Sequence, residues 1–454
     1  MKKTIAALTV VVLAALGTSA ATAKHEPGFR TPRPAQLVAV PGSGTTVEPL
    51  LSVSDVVPGT SYQMSGIPDG LGAYKDGQLL HVLMNHELGR TFPALPPGVD
   101  ARISKVTLDR KTLGVVSASY PFTGTEGFER FCSSTLEVIN GTPYYWTGEE
   151  AINAGHDGSS IVMNAETGQW WETEHFGHLQ HENVVPVLRV SRFMVVTTDD
   201  DFRVGQPAYL FAYIADSLED AISGDPAHGS LYVWKALDPT QTAFDVDRGE
   251  TIAGEFVPLT QAQNADSTTL KEAATAAQAF RFARLEDAAT AQQGAGRLYF
   301  ADTGKIGEAT LRGRLYRFDI DPSDPTQASL TLLLDGDDGD DVVNPDNLDT
   351  SPHSVVIQED RESAFRDVPN RVLVYDIRSG SLRPVAQVAT PPPLRPGTWE
   401  SSGVINAQTL LGHGWWLLDV QAHSTFALQP GPTLEPNTAT GEDGQLLAVH
   451  IPNS

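Results

Sequence analysis

Cysteine is almost absent. The 454-residue chain has one, Cys132, so no internal disulfide can form and stability must come from packing and bound ions. Positive charge is also scarce: 31 Lys and Arg stand against 56 Asp and Glu, a net charge of −25. Such a balance repels phosphate backbones and argues against a nucleic-acid partner. Beyond the N-terminal segment no run approaches the ~18 apolar residues that a spanning helix needs, so no membrane span is expected. Charged residues make up only 19% and hydrophobic ones 41%, which excludes wholesale disorder.

What is present begins with a secretory signal. Lys2 and Lys3 precede an apolar stretch, Ile5 to Leu16, and Ala21-Thr22-Ala23 supplies small residues for cleavage. Residues 1–23 are therefore expected to be removed, leaving a secreted or periplasmic protein of residues 24–454, read as one domain and a monomer. Past residue 40, short apolar runs bounded by Gly, Asp, Asn and Pro predict many strands. Leu79–Met84, Tyr144–Thr147, Ser160–Met163, Phe193–Thr197, Leu298–Ala301, Leu315–Ile320, Val372–Tyr375 and Leu446–Ile451 are examples. Ile214–Ile222 and the Ala-rich Leu270–Phe280 read as short helical insertions between sheets. So many strands over ~400 residues fit an all-β fold with radial repetition of small sheets, a β-propeller. No strict repeat fixes the blade number.

Acids cluster at the ends of those runs: Asn85-His86-Glu87, Glu149-Glu150, His181-Glu182-Asn183, Asp199-Asp200-Asp201, Asp302, Glu359-Asp360 and Asp419. In a propeller such ends converge near the axis, where carboxylates repel one another unless cations neutralise them. A single acid in a turn is more often a solvated turn former, but Glu has little turn propensity of its own. Metal binding is the reading for the set. Cys132, 17 and 18 residues before Glu149 and Glu150, reads as a buried small hydrophobe or as a thiolate ligand to a redox-capable or borderline-soft metal.

The order of these motifs, with Arg284-Leu-Glu286-Asp, Tyr299-Phe-Ala-Asp-Thr-Gly304 and Asn344-Pro-Asp-Asn347, resembles the PhoX-type alkaline phosphatases. The resemblance runs from about residue 60 to 425. It implies a six-bladed propeller with Fe³⁺ and Ca²⁺ on its axis that hydrolyses small phosphomonoesters. By position it implies metal ligands at Glu87, Cys132, Glu182, Asp200, Asp201 and Glu286, and at Glu149 or Glu150. Arg284 falls where the family contacts phosphate, and Asn85 is a second candidate donor. The chain departs from the family in having Ser133-Ser134-Thr135 after the cysteine in place of a Gly-Gly pair, and in lacking a twin-arginine signal. Two rival expectations follow: a calcium-stabilised, non-catalytic propeller with a binding role, and a metal-dependent hydrolase of another ester, such as a phosphodiester, phosphotriester or lactone. A carboxylate-pair glycosidase is disfavoured because the acids are too many and too clustered.

Overall fold

The computed structural model describes residues 28–89, 100–152, 155–203, 205–428, 431–433 and 441–454, with no side-chain description for 426–433. The signal segment and Pro93–Pro97 lie outside the described residues. The apolar runs named above fall within strands, except that Ile451 lies one residue past the strand Glu442–His450. The helices differ in place. Ile214 and Ala215 end a strand paired to Met194 and Phe193, and the helix starts at Leu218, where the Ser217 side chain accepts the Asp220 N–H. It sits inside one sheet, in the connection between the strands Leu210–Ala215 and Gly229–Ala236, and not between sheets. The second helix is Ser267–Ala276, capped by Asp266, and Phe280 has left it to pack on Trp234.

Six strands that apolar content does not signal form the inside of the molecule: Pro68–Asp76, Phe131–Ile139, His181–Val187, Leu285–Thr290, Pro345–Thr350 and Glu400–Asn406. Each packs against the next and the last against the first, a closed ring around an axis. From each inner strand the chain meanders outward in antiparallel fashion. The arrangement is all-β and propeller-like. Hydrogen bonding among the described residues gives five sheets and not six separate blades. Four sheets of four or five strands stand alone. The fifth has nine strands, because the outer strand Thr251–Pro258 pairs with the outer strand Gln327–Asp335 and fuses two inner strands into one sheet.

Apolar side chains fill six separate clusters between neighbouring sectors of the ring. Leu83, Phe122, Phe131 and Tyr145 pack between the first two inner strands' sectors, and Leu71, Val82, Leu417 and Leu446 between the last and the first. Each fully buried Leu, Val or Phe contributes about 1.5–3 kcal/mol, which holds a ring whose inner strands are polar. The ring is closed by hydrogen bonds between an early and a late strand, Thr46–Ser52 pairing with Glu442–His450 in one sheet.

Candidate metal centre

One irregularity, repeated around the ring, builds the site. The first residue of an inner strand pairs with the end of its neighbour, and pairing resumes three residues on, so one extra residue is accommodated in each. The breaks fall at Pro68/Leu71, Phe131/Ser134, His181/Val184, Leu285/Ala288 and Pro345/Leu348. Such a bulge re-aims the residue it contains. The second residues of these five strands are Asp69, Cys132, Glu182, Glu286 and Asp346, and all five line one axial cavity of about 260 Å³. Tight approach at this level needs Gly70, where a Cβ would sit 2.4 Å from the Cys132 carbonyl oxygen.

The neighbouring strands end in doublets whose two members face opposite ways, as alternation in a strand requires. The second members, Glu87, Glu150, Asp200, Thr303 and Asp360, line the same cavity, joined by Glu400, His423, Arg130 and Arg284. The first members grip backbone. Glu149 accepts N–H bonds from Glu129 at 2.7 Å, Gly158 at 2.9 Å and His156 at 3.1 Å. Asp302 does the same for Ala283 and Arg284, Glu359 for Val343, and His86 Nδ1 meets the Gly66 carbonyl at 2.9 Å. The doublet Glu149-Glu150 is thus divided: Glu150 faces the cavity and Glu149 fastens a loop.

Two more expected site residues lie elsewhere. Asp201 follows the strand end and is held by Arg203 and by Lys271 Nζ at 2.5 Å, so it anchors a loop to the helix Ser267–Ala276. Asn85 is not among the residues lining the cavity, because its amide is taken up one layer below, against the neighbouring inner strand. It donates to the Cys132 carbonyl at 2.6 Å and to Thr147 Oγ1 at 2.9 Å, and accepts from Tyr145. Asp69, Asp346, Asp360 and Glu400, which sequence reasoning did not choose as ligands, belong to the cluster. The Glu359-Asp360 doublet was an available signal for Asp360, whereas the bulges that place Asp69 and Asp346 follow only from strand pairing.

Four groups of ligand atoms lie within 4.8 Å of one another: Asp69–Glu87–Cys132, Cys132–Glu150–Glu182, Glu182–Glu286–Asp346 and Asp346–Asp360–Glu400. They share members and so form one unbroken chain. At 4.8 Å, two unneutralised carboxylates repel by about 3 kcal/mol at an effective dielectric of about 20. Burial, then Glu87, pushes Asp69 up to about 7; burial also pushes Glu150 up to about 8. Glu182, Glu286, Asp346 and Glu400 are raised well above the carboxylate range, first by burial and then by neighbouring acids. Burial and Glu150 raise the Cys132 thiol, whose Sγ lies 3.0 Å from Glu150 Oε2.

Three cations belonging to the chain offset part of this charge. Arg284 makes a two-pronged pair with Asp200, Nε at 2.8 Å and Nη2 at 2.7 Å, and reaches Glu286 at 3.1 Å. Arg130 pairs with Glu150 at 2.7 Å and Glu87 at 2.9 Å. Burial opposes a charge on His423, but Glu400 at 3.0 Å and Glu442 at 2.7 Å raise it well above the usual imidazole range. The donor set fits cations. Cys132 gives two of the groups a soft ligand, the other two are all-oxygen, and Glu400 Oε2 is buried without a hydrogen-bond partner.

No known family model and no curated protein sequence matches the chain. Among the described residues no helix is long and apolar enough to cross a membrane. Solved structures similar to it include the catalytic domain of a Coprinopsis cinerea GH62 α-L-arabinofuranosidase, at 9% identity, covering 80% of this chain and 97% of that one, with a TM-score of 0.33. A Xanthomonas citri GH43_1 enzyme has 11% identity, covers 89% and 90%, and gives a TM-score of 0.35. A Trypanosoma rangeli sialidase mutant has 8% identity, covers 92% and 60%, and gives 0.41. Likenesses this distant carry no argument about what the cavity does.

Proposed function

We propose that the protein is a secreted, metal-dependent phosphatase of the PhoX type, acting on small phosphomonoesters at the axial cavity. The observation that carries this reading is the unbroken chain of ligand groups with a single thiol, Cys132, shared by two of them. On this reading the nine-stranded sheet counts as two blades fused along their outer edges, and the ring of inner strands is six-bladed. Cys132 with Glu150 and Glu182, and with Asp69 and Glu87, would hold the iron-class metal. Glu182, Glu286, Asp346, Asp360 and Glu400 would hold the calcium-class ions.

When bound, such cations supply the positive charge that draws in a phosphate dianion, polarises its oxygens and lowers the pKa of a bound water. The protein's own groups do the rest. Arg284 and Arg130 line the cavity and present guanidinium N–H donors to phosphoryl oxygens; their present carboxylate partners hold them extended and charged. Ser133 Oγ donates to Glu182 Oε1 at 2.5 Å and accepts from Asn347 at 2.7 Å, which fixes the orientation of a ligand shared by two groups. This is the work done by the serine that replaces the family's glycine. His423, held at both ring nitrogens, orients Glu400.

The test is hydrolysis of p-nitrophenyl phosphate by wild-type and Cys132→Ala protein, both produced with iron and calcium in the medium, with metal content measured on each. Iron, calcium and turnover together, with iron and turnover lost in the variant, support the reading. Calcium alone with no turnover in the wild type refutes it and leaves a calcium-held, non-catalytic propeller. Turnover of bis(p-nitrophenyl) phosphate in preference to the monoester would reassign the substrate class.

A further inference from the structure

The sheet that closes the ring breaks the pattern of the other five sectors. Its bulge lies between Ser402 and Ile405, and the residue opposite Ser402 is Asp419, the equivalent of His86, Glu149, Asp199, Asp302 and Glu359. Those side chains find backbone partners. Asp419 does not: it is 0% exposed, and among the described residues neither of its carboxylate oxygens has a hydrogen-bond partner. The reason is local. Here the inner strand starts two residues earlier, with Glu400 paired to Gln421, so no loop lies where Asp419 could grip it.

A second orphan lies beside it. Gln421 Oε1 is buried without a partner, while its Nε2 is committed to Asp69 Oδ2 at 3.1 Å and Glu87 Oε2 at 3.3 Å, which fixes the amide with its oxygen away from those acids. Asp419 and Gln421 are two apart on one strand and face the same side. Gly403, at φ +60°, leaves a cradle on the inner strand: a methyl carbon placed on it would sit 2.8 Å from the Asp69 carbonyl oxygen and 3.0 Å from Asp419 Oδ2. Asp419 Oδ2 and the Asp69 carbonyl oxygen thus converge on the space beside Gly403, and the Asp419 carboxylate and Gln421 Oε1, on the same face of their strand, have no donor among the described residues. A water has two protons and cannot serve all of them, whereas an oxygen-seeking cation serves every one.

We propose that the ring-closing sheet holds a further calcium-class cation, bound by the Asp419 carboxylate and Gln421 Oε1 against the Asp69 carbonyl. Asp419 and Gln421 are not among the cavity-lining residues or the four ligand groups, so this ion is additional to the axial cluster. It sits where the last inner strand meets the first, and so clasps the seam of the ring. The inference does not rest on the phosphatase reading.

Native mass spectrometry of the full chain loaded with calcium tests it. Asp419→Asn, which keeps shape and removes charge, is expected to carry one calcium fewer than the wild type, and to lose part of the melting-temperature gain that calcium gives the wild type. An equal calcium count with an unchanged or raised melting temperature would overturn the proposal and make Asp419 a buried, protonated acid. Wild-type crystals grown with calcium give an answer independent of the variant's folding. An anomalous peak bonded to Asp419 and Gln421 supports the site; water or nothing at that position overturns it. Either result leaves p-nitrophenyl phosphate turnover, and hence the phosphatase reading, to be decided separately.

Discussion

If cations neutralise the axial cluster as proposed, stripping them with a chelator should make stability depend steeply on pH, and the dependence can be worked from two residues. Without cations, the folded state raises Asp69 from 3.8 to about 7 and Glu150 from 4.5 to about 8, in both cases chiefly through burial. A carboxyl that is harder to ionise folded than unfolded binds more protons in the folded state between the two pKa values. Folded stability is then greatest when both states are protonated, and falls as pH rises from about 4 through about 8. At about 1.36 kcal/mol per unit, Asp69 alone accounts for about 4 kcal/mol and Glu150 for about 5 kcal/mol. Either is comparable with the whole stability of an ordinary domain, about 5–15 kcal/mol. The chelated protein should therefore melt at a markedly lower temperature at pH 8 than at pH 5.5, and the cation-loaded protein should show little change over the same range. Differential scanning fluorimetry at both pH values, with and without chelator, reads this directly. Equal melting temperatures for the chelated protein at the two pH values would refute the reasoning.

Other outcomes follow from the same geometry. Asn85→Ala should lower stability by about 1–3 kcal/mol in urea unfolding, because it removes the buried side-chain donor to the Cys132 carbonyl, while Tyr145 and Ser133 keep Gly70 and Thr147 as partners; lost turnover at unchanged stability would restore it as a phosphate donor. Glu149→Gln should also destabilise, yet leave metal content at the wild-type level, which elemental analysis checks. Arg284→Lys, which loses the two-pronged geometry, should reduce kcat/KM for p-nitrophenyl phosphate about 100-fold while metal content is retained. Ser133→Gly should weaken retention of metal on dialysis, since Glu182 loses its 2.5 Å hydrogen bond.

The sequence made the middle and outer strands legible and hid the inner ones. Val372–Tyr375 announces itself because both its faces are buried, and Leu315–Ile320 because Arg317 and Asp319 alternate with buried apolar residues. Leu285-Glu-Asp-Ala-Ala-Thr290 and Pro345-Asp-Asn-Leu-Asp-Thr350 do not, because an inner strand faces the axis with polar side chains and carries an extra residue that breaks strict alternation. The second members of the strand-end doublets converge on one cavity. Choosing within a doublet requires knowing which member lies on the axial side, and that depends on the bulge in the partner strand. Hence Glu149 and Asp201 were grouped with Glu150 and Asp200, and Asp69, preceding Gly70 with no acid beside it, was overlooked. The fusion of two sectors through Thr251–Pro258 and Gln327–Asp335 had no local signature, since outer-edge pairing depends on how the ring brings distant strands together.

Metal ions are proposed to hold the axial carboxylates in place. The most direct measurement is the metal count per chain of protein purified without chelators, by elemental analysis against protein concentration. The account predicts several equivalents, with a transition metal among them and calcium making up the rest. A folded protein that is metal-free at pH 8 and gains no stability from added calcium or iron would contradict it.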